Sequence, residues 1–229
     1  MTARQLHRDQ WAGNAGVPPA IHGWARTWVW LLPAWGVLLA LSTVTHQPSY
    51  DTDFEGYADY ITTTPFLLSH LLASIGGAVL AVIGATALAV ALAATPAARS
   101  ALGGLMAFLA AQILMTAGFA VAAFFQPAIG RAFHDGHDAV ARAVNEDVYG
   151  PELFATIGLG LLLFVVGAGL LGRAANRSGV APVWAGRAFA IAAPVFAVSG
   201  LTLEILQPFA GLVIAASAAA LARAVSSTR

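Results

Sequence analysis

Four histidines and two glutamates stand where they could do chemistry: His46, His70, His134, His137, Glu152 and Glu204. An imidazole beside a carboxylate can bind a metal, shuttle a proton or orient a polar head group. His70 leads the set because it lies inside an apolar run, about 6 Å beyond Phe66 at the α-helical rise. An ionisable group at that depth is costly and normally has a partner. Glu152, Glu204 and His46, at the ends of other apolar runs, are the candidates. Helical spacing sets His70 on one face with Ser74, Gly77 and Ala81, so it is expected to point into a helix bundle. Its structural alternative is a hydrogen bond to a nearby hydroxyl or carbonyl that locks packing.

The run His134-Asp135-Gly136-His137-Asp138 is the most motif-like stretch. Imidazoles and carboxylates suit zinc or copper, and His46 could complete the set. An H-x-x-H pair alone is a weak signal, and Gly136 argues for a turn; a solvated acidic loop is the competing reading. Haem is disfavoured, since two axial imidazoles are needed and only His70 is clearly inside an apolar run. Cysteine is absent, which removes thiolate catalysis, iron–sulfur ligation and disulfides. Lysine is absent too, which removes Schiff-base chemistry and the Walker-type phosphate loop.

The elements that must position these residues are hydrophobic. The 229 residues are 59% hydrophobic and 10% charged, with apolar stretches at 28–45, 66–94, 102–125, 153–172, 185–203 and 207–223. Each is close to the ~20 residues a spanning helix needs. Nine of the 11 arginines fall on one side of these stretches, and every acid but Asp9 on the other. The positive-inside bias then predicts an all-α integral membrane protein of six spans, with both termini cytoplasmic, best suited to a bacterial inner membrane. Residues 1–27 read as a cytoplasmic segment leading into a retained signal-anchor helix, 28–223 as the membrane domain and 224–229 as a cytoplasmic tail. Gln47-Pro48, Gln126-Pro127 and Gln207-Pro208 recur at nearly even spacing and suggest three helical hairpins. Residues 137–148 read as a short helix lying on the membrane face. Pro33 and Pro194 predict kinks in the first and fifth spans. The stripe Ala73, Gly77, Ala81, Ala85 in the second span, with Gly103, Ala107 and Ala111 in the third, predicts close helix contacts.

Polar residues within the spans gather toward the acidic end. His70, Ser74, Glu152, Thr156, Glu204 and Gln207 would line an outward-facing polar vestibule and bind a ligand there. Gln112, near the middle of the third span, reads as interhelical glue in preference to part of a substrate path. No ionisable residue sits at the midplane of any span, which argues against active transport. No basic cluster exists to track a nucleic-acid backbone. Two classes stay open. One is a non-catalytic module that binds a lipid or other amphiphile, or serves as an accessory subunit beside other membrane proteins or copies of itself. The other is an outward-facing metal-dependent enzyme with ligands from His46, His70, His134 and His137 and with Glu152 or Glu204 as general base or supporting the ligands.

Overall fold

In the computed structural model, residues 18–227 are described; Arg4, Arg8, Asp9 and Arg229 of the charge pattern lie outside them. Eight helices account for the architecture: α1 (Ala20–Leu41), α2 (Phe54–Ile61), α3 (Thr64–Ala93), α4 (Ala98–His134), α5 (Asp138–Val148), α6 (Pro151–Ser178), α7 (Val183–Thr202) and α8 (Leu206–Ser227). Six of them, all but α2 and α5, are long and apolar enough to cross a membrane. Each of these six packs on the next in sequence, and α8 packs back on α1.

Alanines make up much of the buried set, and many of the large apolar side chains face outward. Ala81, Ala85, Ala111, Ala168 and Ala218 are fully buried, whereas Met106, Ile113, Leu162, Ile191 and Phe209 are largely exposed. That inversion suits helices in lipid, where apolar side chains gain nothing by turning inward and close backbone packing drives association. The small stripes serve contacts within the chain. A Cβ on Gly84 would come within 2.6 Å of the Leu32 amide nitrogen, and one on Gly167 within 2.6 Å of that of Phe108. On α4 the tight glycine is Gly104, against Leu171, while Gly103 is exposed. At the centre, Trp35, Phe108 and Phe164 meet edge-on or tilted at 5.5–6.1 Å, and Phe196 adds a further edge contact to Phe164 at 6.5 Å.

Proline acts where its geometry demands. Helix α1 is interrupted by a turn at Val29–Trp30, one helical turn ahead of Pro33. The Val29 carbonyl, which Pro33 cannot serve, accepts from the Leu32 amide at 3.1 Å instead. Helix α7 continues through Pro194. The Gln-Pro repeats are not equivalent: Gln47-Pro48 is non-helical, Gln126-Pro127 lies within α4 and Gln207-Pro208 opens α8.

Two π-helical segments depart from the α register, Ser69–Gly76 in α3 and Val121–Phe125 in α4. In the first, side chains compete for backbone acceptors: the Ser69 hydroxyl and His70 Nδ1 both donate to the Phe66 carbonyl, and Ser74 donates to Ser69 O five residues back. A widened turn rotates the remainder of the helix by about 100° relative to an unbroken one.

The charges separate by end. Arg26 bonds the Ser226 carbonyl, Ser100 bonds Leu170 O, and Gly172 abuts Gly186. These contacts gather Arg26, Arg99, Arg173, Arg177, Arg187 and Arg223 at one end of the bundle. The three ion pairs among the described residues, His46–Glu204, His134–Asp59 and Arg142–Asp138, all lie at the other.

Candidate functional site

The polar residues at the acidic end do not converge. Most spend their hydrogen bonds on their own helix, as short hydroxyl side chains can in a helical turn. Thr156 donates to Glu152 O, Ser199 to Phe196 O and Thr202 to Val198 O. His70 does the same: its Nδ1 donates to Phe66 O at 2.9 Å, and its ring lies 4.3 Å from that of Phe66. The π-helical segment separates it from the face that regular helical spacing predicts it to share with Gly77 and Ala81. None of Glu152, Glu204 and His46 reaches it. Glu204 instead accepts from His46 Nδ1 at 2.8 Å, in a pair whose side chains are 60% and 78% exposed. Gln207 turns its amide to the Phe196 carbonyl across the α7–α8 turn. Glu152 is exposed.

His134 ends α4 and its Nε2 lies 3.4 Å from Asp59. Gly136, at a φ of +84°, turns the chain, and exposed His137 precedes α5. Among the described residues no three His, Cys, Asp or Glu side chains come together as a metal site would require. His46, His134 and His137 are therefore not assembled into one.

Two polar groupings that residue spacing does not reveal are buried. The first ties α2, α4 and α5 into a cap. Tyr57, fully buried, donates to Asn145 Oδ1 at 2.9 Å, and the Gln126 amide donates to the Tyr149 hydroxyl. Tyr50 stacks on Tyr149 at 5.5 Å, and the Arg142 guanidinium sits 4.2 Å over the Phe54 ring. Burial pushes the Tyr57 phenol up to about 12 and raises that of Tyr149 as well. Both therefore stay neutral and serve as hydrogen-bonding groups at ordinary pH. All four tyrosines of the chain fall in the two acidic connections, which was the available signal.

The second grouping is at the bundle centre. Gln112 is 5% exposed, and its side-chain amide has no hydrogen-bond partner among the described residues. It lies between two spaces. One is an enclosed chamber of about 10 Å³ among Trp35, Ser74, Phe119, Phe164 and Phe196. The other is an open, almost wholly apolar groove of about 340 Å³ between α3 and α4, lined by Val79, Ile83, Ile113 and Thr116. Thr116 gives its hydroxyl proton to the Gln112 backbone carbonyl at 2.6 Å, so the Gln112 side-chain amide is the polar group left to act. No charged residue lines either space.

Comparison of the chain with family models, curated proteins and solved structures finds no match. The functional reading therefore rests on geometry alone. A buried amide with two donors and an acceptor, set in a groove open along the side of the bundle, can hydrogen-bond a neutral oxygen.

Proposed function

We propose that the chain is a polytopic inner-membrane protein that binds, without turnover, a neutral amphiphile entering from the bilayer between α3 and α4. Its three hairpins would place the arginine-rich end and both termini in the cytoplasm, as the segregation of charge favours. The observation that carries the binding reading is Gln112, buried, unpartnered and shared by the groove and the chamber. The groove is within the size range of small-molecule sites, and the chamber has room for about one water-sized atom. A hydrocarbon tail would lie in the groove while one carbonyl or hydroxyl oxygen meets the amide. Such a site excludes ions, because a charge there would find no counter-charge. This lateral entrance takes the place of the outward-facing vestibule.

Trp35 supplies the reporter, because it lines the chamber while Trp24, Trp28, Trp30 and Trp184 are exposed nearer the arginine-rich end. In a variant retaining Trp35 as its sole tryptophan, in nanodiscs, dibrominated diacylglycerol is expected to quench fluorescence saturably. Gln112→Leu should weaken that binding about 2- to 10-fold, the worth of a hydrogen bond. Quenching that is linear in mole fraction and identical in both proteins would refute binding at Gln112 and leave the accessory-subunit reading.

A further inference from the structure

A second groove lies at the arginine-rich end, between α1, α7 and α8. It encloses about 580 Å³. Its floor is the face of α8 that carries Ala219, Ala220 and Ala224, three methyl-sized side chains that leave a shallow trough. One wall is Trp30, 46% exposed; the other is Pro182 with Trp184, 57% exposed. Arg223 lines the groove, is exposed, and has no carboxylate partner among the described residues.

The groove is held open by a clamp. The Arg26 guanidinium donates to the Ser226 carbonyl at 2.6 Å, the Trp30 indole N–H donates to Ser226 Oγ at 3.1 Å, and the Ser226 hydroxyl donates to Arg26 O at 3.0 Å. These bonds fasten the end of α8 to α1 and fix the Trp30 wall, while leaving Arg223 unengaged. Smooth apolar floor, amphipathic indole walls and one uncompensated guanidinium at the rim repeat, in order, the parts of a phospholipid from acyl chain to phosphate.

We infer that this groove is a binding site for one anionic glycerophospholipid, its phosphate on Arg223 and an acyl chain along the α8 alanines. The inference is independent of Gln112, which lies elsewhere in the bundle. It also differs from general attraction of an arginine-rich end to a negative membrane surface, because it assigns one arginine out of six. Arg187 stands at the same end and does not line the groove, so it provides the comparison.

The test is native mass spectrometry of the full chain in mild detergent, titrated with phosphatidylglycerol or phosphatidylcholine of matched chains. One phosphatidylglycerol should be retained in preference to phosphatidylcholine. Arg223→Gln should weaken retention about fivefold, the effect of one arginine near an anionic headgroup, and Arg187→Gln should leave it unchanged. Ala219→Phe, which fills the trough and keeps every charge, should weaken it as well. Equal losses in Arg223→Gln and Arg187→Gln, or equal retention of the two lipids by the unmodified protein, would overturn the assignment. Circular dichroism and monodispersity of each variant separate loss of the site from loss of the fold.

Discussion

Replacing Gln112 with methionine tests the central site through the sign of two effects. The side chain is 5% exposed and its amide has no partner among the described residues, so the ligand-free protein carries donors and an acceptor that no protein group satisfies. Such unsatisfied groups cost about 1–3 kcal/mol. Methionine is close in length, apolar and adaptable, and removes that cost without opening a void. Gln112→Met should therefore stabilise the ligand-free protein by roughly 1–2 kcal/mol, a rise in melting temperature of about 2–8 °C for a chain of this size. With a neutral amphiphile present the gap narrows, because the variant gains less from the ligand. A ligand at one hundred times its Kd stabilises by about 2.7 kcal/mol, and loss of one hydrogen bond takes back about 0.5–1.5 kcal/mol of that. Melting in detergent, scanned at fixed rate with and without dioleoylglycerol, reads both numbers. If Gln112→Met lowers the ligand-free melting temperature, the amide is already satisfied and acts as interhelical glue, and the site at the bundle centre is refuted.

The tyrosine cap should loosen in alkali. Both phenols are held neutral by burial, so the unfolded chain gives up these protons near pH 10 and the folded one does so later. The stabilisation is complete below pH 10 and lost as pH rises toward 12, about 2–3 kcal/mol from Tyr57 alone. Hydrogen exchange of residues 54–61 and 138–148 across that window checks it, and flat protection would contradict it. Asn145→Ala leaves the buried Tyr57 hydroxyl without its acceptor and should destabilise the same segments by about 1–3 kcal/mol, read by the same exchange at neutral pH. Gly167→Val forces a side chain onto the Phe108 backbone and should cost about 1–3 kcal/mol in a thermal melt, whereas Gly158→Ala, in open space, should not destabilise. His46→Ala breaks an exposed ion pair and should shift stability by less than about 1 kcal/mol. A larger loss would mean that the pair anchors the α7–α8 turn.

Hydropathy made the six spans legible, because lipid leaves a long apolar run few other folds. Their ends were harder to place. Helix α4 runs on through Gln126-Pro127 to His134, 37 residues in all, with a π-helical segment ending at Phe125 just before that pair. Apolar spacing found α5 but not which face packs: Ala141 and Asn145 are buried, while Val140 and Val144 are exposed. The acid-rich α2 has the composition of a loop, although Asp53 caps it by accepting from the Gly56 amide. The site escaped for a different reason, since residue type and spacing do not say where a polar group spends its hydrogen bonds. Serine and threonine are short enough to return them to a carbonyl three or four residues back, and His70 does so at Phe66. Thus the vestibule inferred from many such residues disperses into separate helical turns. A glutamine amide stands farther from its own backbone and must find a partner across the bundle. Gln126 finds Tyr149 and Gln207 finds Phe196; Gln112, facing alanines and aromatic rings, finds none. The residue that reads most readily as packing glue thus has its side-chain hydrogen-bonding capacity unspent, as do the buried Gln126 Oε1 and Asn176 Oδ1, and of these three residues Gln112 is the one that lines the groove open along the side of the bundle.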